Sequence, residues 1–548
     1  MSVLPGRPRS RPRPRVRTRP RFGGALTLPS RARGHRAGVR YFHQVEDTLV
    51  RGSDTFGVPE DNEAGVIGWG TSWRMQGYLL MAERTGDPVY ATRLAQLADR
   101  VLAARDDERG TVDHRGRSAP VWSTASKFTA ATAALLDEEG EVALEVTVCP
   151  PRALDAVVTV RPEGDRFSLS VTGQGRPALS LTGLSLDPAD ERRADRALYA
   201  AHDQRTAVTG RLVRRGERHG ERADGEPPAP GGVTSPSPAA PSAASPRRLR
   251  PGTYPVRPAR VALAAQTGMI AYPIAGLVRL ASKEPSRRRI VPSLVRDRLD
   301  GYLDAVVRAV AAHDHQWQDV PGGRGCYRWL PDEPVSFAGA ELPTNEFLAM
   351  GRTLVHLAAL TGETGYAERA AAMARCLRAD LTRREGAAVW PYWPAFGRVF
   401  NGWTATGSPG TDGSLYRPSY TPVTAPEDVT HALIDLDFLH LYHRQPPGVV
   451  PPVLTDDDMR AVAATFARNV VDPTAAEGGS RGPRMRHDVS GAGRPGTDRE
   501  QAHVAAWLPL RTFAAGLADL VLAVQPAAPP PPVMGVDTYC GALLARWG

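Results

Sequence analysis

The chain has 548 residues, an apolar fraction of 42% and a formal net charge of +9. This length allows two or three ordinary domains, or one large body with appendages. No run of about 18 uncharged apolar residues is present, which excludes a transmembrane helix on sequence grounds. Residues 1–40 hold twelve arginines and no acid, so removing them takes the +9 to −3. The basic balance therefore belongs to a tail, and nucleic acid is not an expected partner of the folded part.

In chain order, residues 1–40 alternate Pro and Arg, which can build neither a core nor a helix, and read as a disordered tail. No apolar run of secretory-signal length follows the basic start, which leaves the cytoplasm as the default location. Residues 41–140 read as the first part of a helical body. A helix is predicted over 70–84, a break at Thr85, Gly86, Asp87 and Pro88, and a second helix over 89–104 with Leu94, Leu97, Ala98 and Val101 on one stripe. Residues 141–213 change to period two (EVALEVTV, FSLSVTG) and predict a small antiparallel β insertion. Residues 214–252 are rich in Pro, Ser, Ala and Gly and read as a disordered linker. Helical periodicity returns over 253–525, and 526–548 reads as a Pro-rich segment and C-terminal tail. The four cysteines are far apart, without C-x-x-C spacing, so neither a zinc site nor a disulfide framework is expected.

An internal repeat joins the two helical parts. From Thr85 with Gly86, and again from Thr361 with Gly362, Tyr follows at +5 (Tyr90, Tyr366), Arg at +8 (Arg93, Arg369) and Ala at +10 and +13 (Ala95 and Ala98; Ala371 and Ala374). Gly accepts the left-handed conformation that ends a helix, so each copy predicts a helix hairpin. The fold class expected is mainly α, a toroid of helix hairpins interrupted by the β insertion.

The strongest chemical signal is the segment TAPEDVTHALIDLDF. Thr424 and Glu427 have capping-box spacing, which predicts a helix carrying Asp428, His431 and Asp435 on one face. A His between carboxylates suits general acid–base chemistry; the alternative is a helix N-terminus with a polar core His. A cation held by the three would need a further ligand, and neither metal nor cofactor is expected. Trp390, Tyr392 and Trp393 form an aromatic loop able to stack on sugar faces or to anchor the core, with Tyr420 close behind. Trp69 and Arg74 open the first repeat. Gln266 begins one helix, Asn345 and Glu346 another. Arg486 lies in a late loop that lacks the features of a phosphate site.

The series WGTSWRMQGYLLMAERTGD, QTGMIAYPI, ELPTNEFLAMGRTLVHLAALTGETGY, VWPYW, PEDVTHALIDLDF and RHDVSG…AWLPL resembles bacterial α/α-toroid proteins. Through them it resembles the helical domains of uronate polysaccharide lyases and glucuronyl C5-epimerases. The resemblance covers roughly 60–135 and 260–515. It implies a polysaccharide or oligosaccharide substrate and C5 proton abstraction next to a uronate carboxylate. His431 would be base or acid, Tyr420 its partner, and Arg74 or Arg486 a carboxylate clamp. A glycoside hydrolase, with Glu346 and Asp435 as its carboxylate pair, and a non-catalytic glycan-binding or scaffold protein remain the alternatives. Oligomeric state is not readable.

Overall fold

The computed structural model describes residues 33–149, 153, 155–173, 176–202, 207–215, 247–282, 289–404, 412–414, 416–417, 419–472, 483–525 and 534–548. The expected tail over 1–32 and most of the expected linker lie outside the described residues.

The described chain is mostly helical, with small antiparallel sheets. The first helix, α1, is Arg33–Leu49, and a single π turn, Ile67–Thr71, leads into α2, Ser72–Thr85, followed by α3, Pro88–Ala103. The Thr-Gly pair ends α2. Thr85 Oγ1 donates back to Met81 O at 2.8 Å, Gly86 takes φ 72°, and its N–H reaches Ala82 O. Asp87 then caps α3, its side chain accepting from Val89 N, with Pro88 in the first turn. The second copy ends its helix in the same way. Thr361 Oγ1 donates to Leu357 O at 2.9 Å, and Gly362, also at φ 72°, has its N–H on Ala358 O. A Cβ at either glycine would carry the strain of a left-handed backbone.

Strand β1, Ser123–Thr124, begins an excursion that β10, Val261–Ala262, closes by pairing antiparallel with it. Between them lie β2 (Ala131–Leu136), β3 (Val142–Val148), β4 (Val157–Glu163), β5 (Arg166–Gly173), β6 (Arg176–Leu184), helix α4 (Ala194–Ala201), β7 (Val208–Leu212), β8 (Gly252–Pro255) and β9 (Arg257–Pro258). They form two sheets, ordered β7-β3-β2-β9 and β6-β5-β4-β8, around a core of their own. The β region thus reaches beyond the expected 141–213 at both ends. β2 (ATAALL) consists of small and apolar residues without a clear alternation, so periodicity alone did not mark it as a strand.

Helices α5 (Ala264–Ser282), α6 (Leu299–Ala311), α7 (Thr344–Thr361), α8 (Thr364–Asp380), α9 (Ala432–His443) and α10 (Asp456–Thr465) follow. A 3-10 segment, Val504–Thr512, precedes α11 (Leu517–Val524) and α12 (Gly535–Trp547). Helix α2 packs on α3 and α5, α5 on α6 and α7, and α7 on α8 and α9. Helix α9 packs on the 3-10 segment, and that segment on α11 and α12, while α12 packs on α1 and α2. One apolar core runs through all of these helices.

Two expectations are corrected here. Helix α1 begins within the stretch read as tail, and α12 occupies most of the stretch read as a C-terminal tail. α12 is buried over Gly535 to Ala545 on every side, so it has no polar face to give an amphipathic signal. Glu46 of α1 joins three helices: Arg74 Nε and Nη2 each donate to it at 2.9 Å, Tyr78 Oη at 2.8 Å and Thr538 Oγ1 at 2.8 Å. Fully buried Arg352 of α7 does the same elsewhere, donating to Asp437 at 2.8 Å and Gln76 at 3.0 Å, with its guanidinium 4.4 Å from the Tyr272 ring centroid.

Candidate active site

A cavity of about 830 Å³ opens where several helical segments begin. Trp69 and Thr71 face it from the start of α2, Leu263 from the start of α5, Asn345 and Glu346 from α7, and His431 from α9. His503, at the start of the 3-10 segment, and Gly535, at the start of α12, complete this end. Several helix starts meet here, and the positive ends of their backbone dipoles favour negative charge or electron-rich oxygen in the cavity. Trp69, Trp73, Phe128, Trp329 and Phe337 supply aromatic walls, and Lys127 a cation at the rim, its ammonium 5.1 Å from the Phe128 ring centroid. Ser126, beside that lysine, sits at φ 60°, a strained value for a residue with a Cβ.

The segment before α9 departs from expectation. No capping box forms at Thr424. Residues 425–429 run extended between two neighbours, with Tyr392 N donating to Ala425 O, Glu427 N to Trp390 O and Val489 N to Glu427 O. Backbone bridges Pro391 to Pro426 and Asp428 to Asp488 accompany these bonds. The two-sided pairing satisfies the backbone better than an isolated helical turn headed by Pro426 would. α9 therefore begins only at Ala432, and Asp428, His431 and Asp435 do not share one helix face.

Asp428 caps the turn instead. Its Oδ1 accepts from Thr430 N at 2.8 Å and His431 N at 3.1 Å, while Oδ2 bonds His431 Nδ1 at 2.5 Å. Burial works against ionisation of Asp428, but the hydrogen bonds and charge of His431, with Thr430, hold its carboxyl well below the usual range. Burial likewise pulls His431 down, yet the bond to and charge of Asp428, with Glu346 and Asp435 behind, outweigh it and hold the imidazole above its ordinary value. Nδ1 being engaged, Nε2 is the nitrogen left for the cavity. Glu346 beside it is pushed by burial up to about 7, the His431 charge offsetting only part of the rise. Asn345 is buried, with Oδ1 lacking a hydrogen-bond partner among the described residues. His503 is buried with neither ring nitrogen hydrogen-bonded among the described residues, and burial lowers its pKa.

Behind His431 lies a second carboxyl pair. Glu427 and Asp435 are fully buried close to each other, and burial raises both pKa values. Two such carboxyls cannot both ionise, so the pair retains a proton. Trp390 Nε1 donates to Asp435 Oδ2 at 2.8 Å. Asp435 thus faces the core, and it does not oppose Glu346 across the cavity. Glu427, Asp428 and His431 bring one potential ligand atom each within 4.8 Å of one another, the set that could hold a cation. Asp428 and His431 already satisfy each other there, so a cation would have to displace that arrangement.

The other expected residues are dispersed. Arg74 touches the cavity wall, but its guanidinium is committed to Glu46 and to Phe56 O at 2.7 Å, which removes it as a carboxylate clamp. Gln266 is buried and accepts from Asn62 Nδ2 at 2.6 Å, away from the cavity lining. Trp390 is core. Tyr392 has its ring 5.2 Å from that of His431, and burial with four nearby carboxyls raises its pKa strongly. Trp393 packs on Phe337 at 4.8 Å, and Phe337 on Tyr420 at 5.2 Å, so Tyr420 reaches the site only through this stack and is no direct partner of His431. Arg486 donates to Gly491 O and faces Asp472 at 3.7 Å, outside the cavity.

His503, Lys127, Trp329 and Phe337 were missed by sequence reasoning. The capping box formed by Thr497 and Glu500, spaced as the sequence rule requires, is the signal that could have pointed to His503 at the next helix start.

No protein-family model matches the chain, and no curated protein matches it in sequence. Among solved structures, an inactive variant of an alpha-1,6-mannanase of Salegentibacter sp. HEL1_6, in complex with alpha-1,6-mannotetrose, is similar over 52% of this chain and 74% of that one. Its identity is 11% and its TM-score 0.29. A reducing-end-xylose releasing exo-oligoxylanase is similar over 52% of this chain and 67% of that one, with 11% identity and a TM-score of 0.30. Likeness at this level assigns no activity. No described helix is long and apolar enough to cross a membrane.

Proposed function

We propose that the helical segments form an α/α toroid and that the cavity at their N-terminal ends is the active site of an enzyme that cleaves a glycosidic bond in a carbohydrate chain. The ring is supported by the succession of contacts from α12 through α2, α5, α7, α9 and the 3-10 segment back to α12. The observation that carries the chemistry is Glu346, a carboxyl kept at about 7 beside an Asp428-oriented His431 in an aromatic-walled cavity. Glu346 gives its proton to the leaving glycosidic oxygen as the C–O bond breaks. His431 Nε2 takes a proton from the water that attacks the anomeric carbon, and the imidazolium so formed is stabilised by Asp428. Proton return from His431 to Glu346 through solvent resets the pair. Trp69, Trp73 and Phe337 stack on sugar faces, and Asn345 Oδ1 and the neutral His503 bind hydroxyl groups.

A second reading is proton abstraction at C5 of a uronate, as lyase or epimerase, with His431 as the base. It is favoured by Lys127 at the rim and by the converging helix N-termini, which would neutralise the carboxylate. Product analysis separates the two. Hydrolysis releases new reducing ends without ultraviolet absorbance. Elimination yields a 4,5-unsaturated product that absorbs, and epimerisation takes up solvent deuterium at C5 without cleavage. None of these with a panel of neutral and acidic oligosaccharides would refute the enzymatic reading.

A further inference from the structure

A second cavity, of about 660 Å³, lies between the β7-β3-β2-β9 sheet and the helical body. One face of this sheet is apolar and packs on the second sheet through residues such as Leu135, Leu144, Val146 and Val208. The other face carries a row set by strand register: Arg257 on β9 opposes Thr132 on β2, Thr132 opposes Thr147 on β3, and Thr147 opposes Thr209 on β7. All four line the cavity. Beside this row, Arg211 donates to Glu145 at 3.0 Å.

A polar sheet face ordinarily meets bulk water. Here His114, Pro334 and Tyr416, from loops outside the insertion, line the same space. Thr147 and Thr209 are buried, at 8% and 4% exposure, and line this cavity, the Thr147 hydroxyl bonded to that of Thr132 at 2.8 Å. Tyr199, Tyr254 and Tyr416 stand at its edges. Hydroxyl groups able both to donate and accept, one charged pair, an exposed arginine and flat aromatic rings match the surface of a hydroxyl-rich saccharide.

The two cavities share a wall. Pro334 lines the sheet cavity, whereas its neighbours Val335, Ser336 and Phe337 line the helical one. Ala130 N donates to Pro334 O at 2.7 Å, fixing this loop to the chain that enters β2. This loop therefore separates the two cavities.

We propose that the cavity over the threonine face of β2, β3, β7 and β9 is a second saccharide-binding site, which holds the part of the carbohydrate chain extending beyond the cleavage site. This rests on the carbohydrate reading of the helical cavity. The threonine hydroxyls bind sugar hydroxyls, Arg257 binds ring or carboxylate oxygens at the outer edge, and the site raises affinity for long chains over short ones.

The test uses the full chain with Glu346→Gln, to prevent turnover, and calorimetric titration with hexamers and dimers of mannose, xylose and galacturonate. The hexamer that binds is then titrated into the same protein carrying Thr147→Val or, at an exposed position, Arg257→Ala. The expected result is a hexamer affinity weakened about tenfold by either change, with dimer affinity unaltered and, for Arg257→Ala, an unaltered melting temperature. Equal affinities for both lengths before and after the changes would overturn the second site and leave the first intact. Failure of every hexamer to bind would overturn the carbohydrate reading itself, and the second site with it.

Discussion

Replacing Glu346 by Gln should make the protein more stable and nearly inactive. Burial raises this carboxyl from 4.5 to about 7. At about 1.4 kcal/mol per tenfold change in proton affinity, the ionised form is penalised by about 3 kcal/mol. The side chain faces a cavity that admits water, which brings the expected value to about 2 kcal/mol. The sign follows from proton binding. Between 4.5 and 7 the folded state holds more protons than the unfolded state, so folding stability falls as pH rises through that window and levels off above it. Glutamine carries no such penalty. Urea titrations of both proteins at pH 4.5 and pH 8 should therefore give similar midpoints at the lower pH. At pH 8 the variant should be ahead by about 2 kcal/mol. Its turnover should drop by roughly 10²- to 10⁴-fold, the usual contribution of a positioned acid. A variant no more stable at pH 8 would show that Glu346 is solvated and ionised. Undiminished turnover would remove it from the chemistry.

Other expected outcomes concern separate parts of the molecule. Asp428→Asn removes the group that holds the His431 pKa up, so the His431 titration, followed by NMR, should move to lower pH, and with it the acid limb of the pH–rate profile. Glu46→Gln leaves the buried Arg74 guanidinium short of its counter-charge and should cost about 3–5 kcal/mol in urea or thermal unfolding. Gly86→Ala and Gly362→Ala, at φ 72° in both cases, should each destabilise by about 1 kcal/mol, with additive effects because the sites are independent.

The parts of this architecture legible in the sequence are those written locally. A Thr-Gly pair ends a helix through bonds reaching only four residues back, so both hairpin turns could be read directly. Asn345, Glu346 and His431 were reached by looking for helix starts, and all three line the cavity. What failed was decided by partners distant in sequence. The apparent capping box at Thr424 was overridden because residues 425–429 pair with the chain near Trp390 and near Asp488. Arg74 looked like a ligand-binding cation, whereas its counter-charge Glu46 lies on another helix. α12 escaped because a helix buried on every side shows no stripe. His503 escaped although the capping box of Thr497 and Glu500 lies just ahead of it, because only the fold brings that helix start to the cavity.

The meeting of α12 with α1 and α2 has a consequence for synthesis. Glu46 and Thr538, bonded in the finished protein, are 492 residues apart. At roughly 5–20 residues per second, the ribosome delivers the second about 25–100 s after the first. Through that interval the carboxylate of Glu46 and the apolar flank of α2 lack their last partner. Docking of the first hairpin is therefore complete only after α12 has been made.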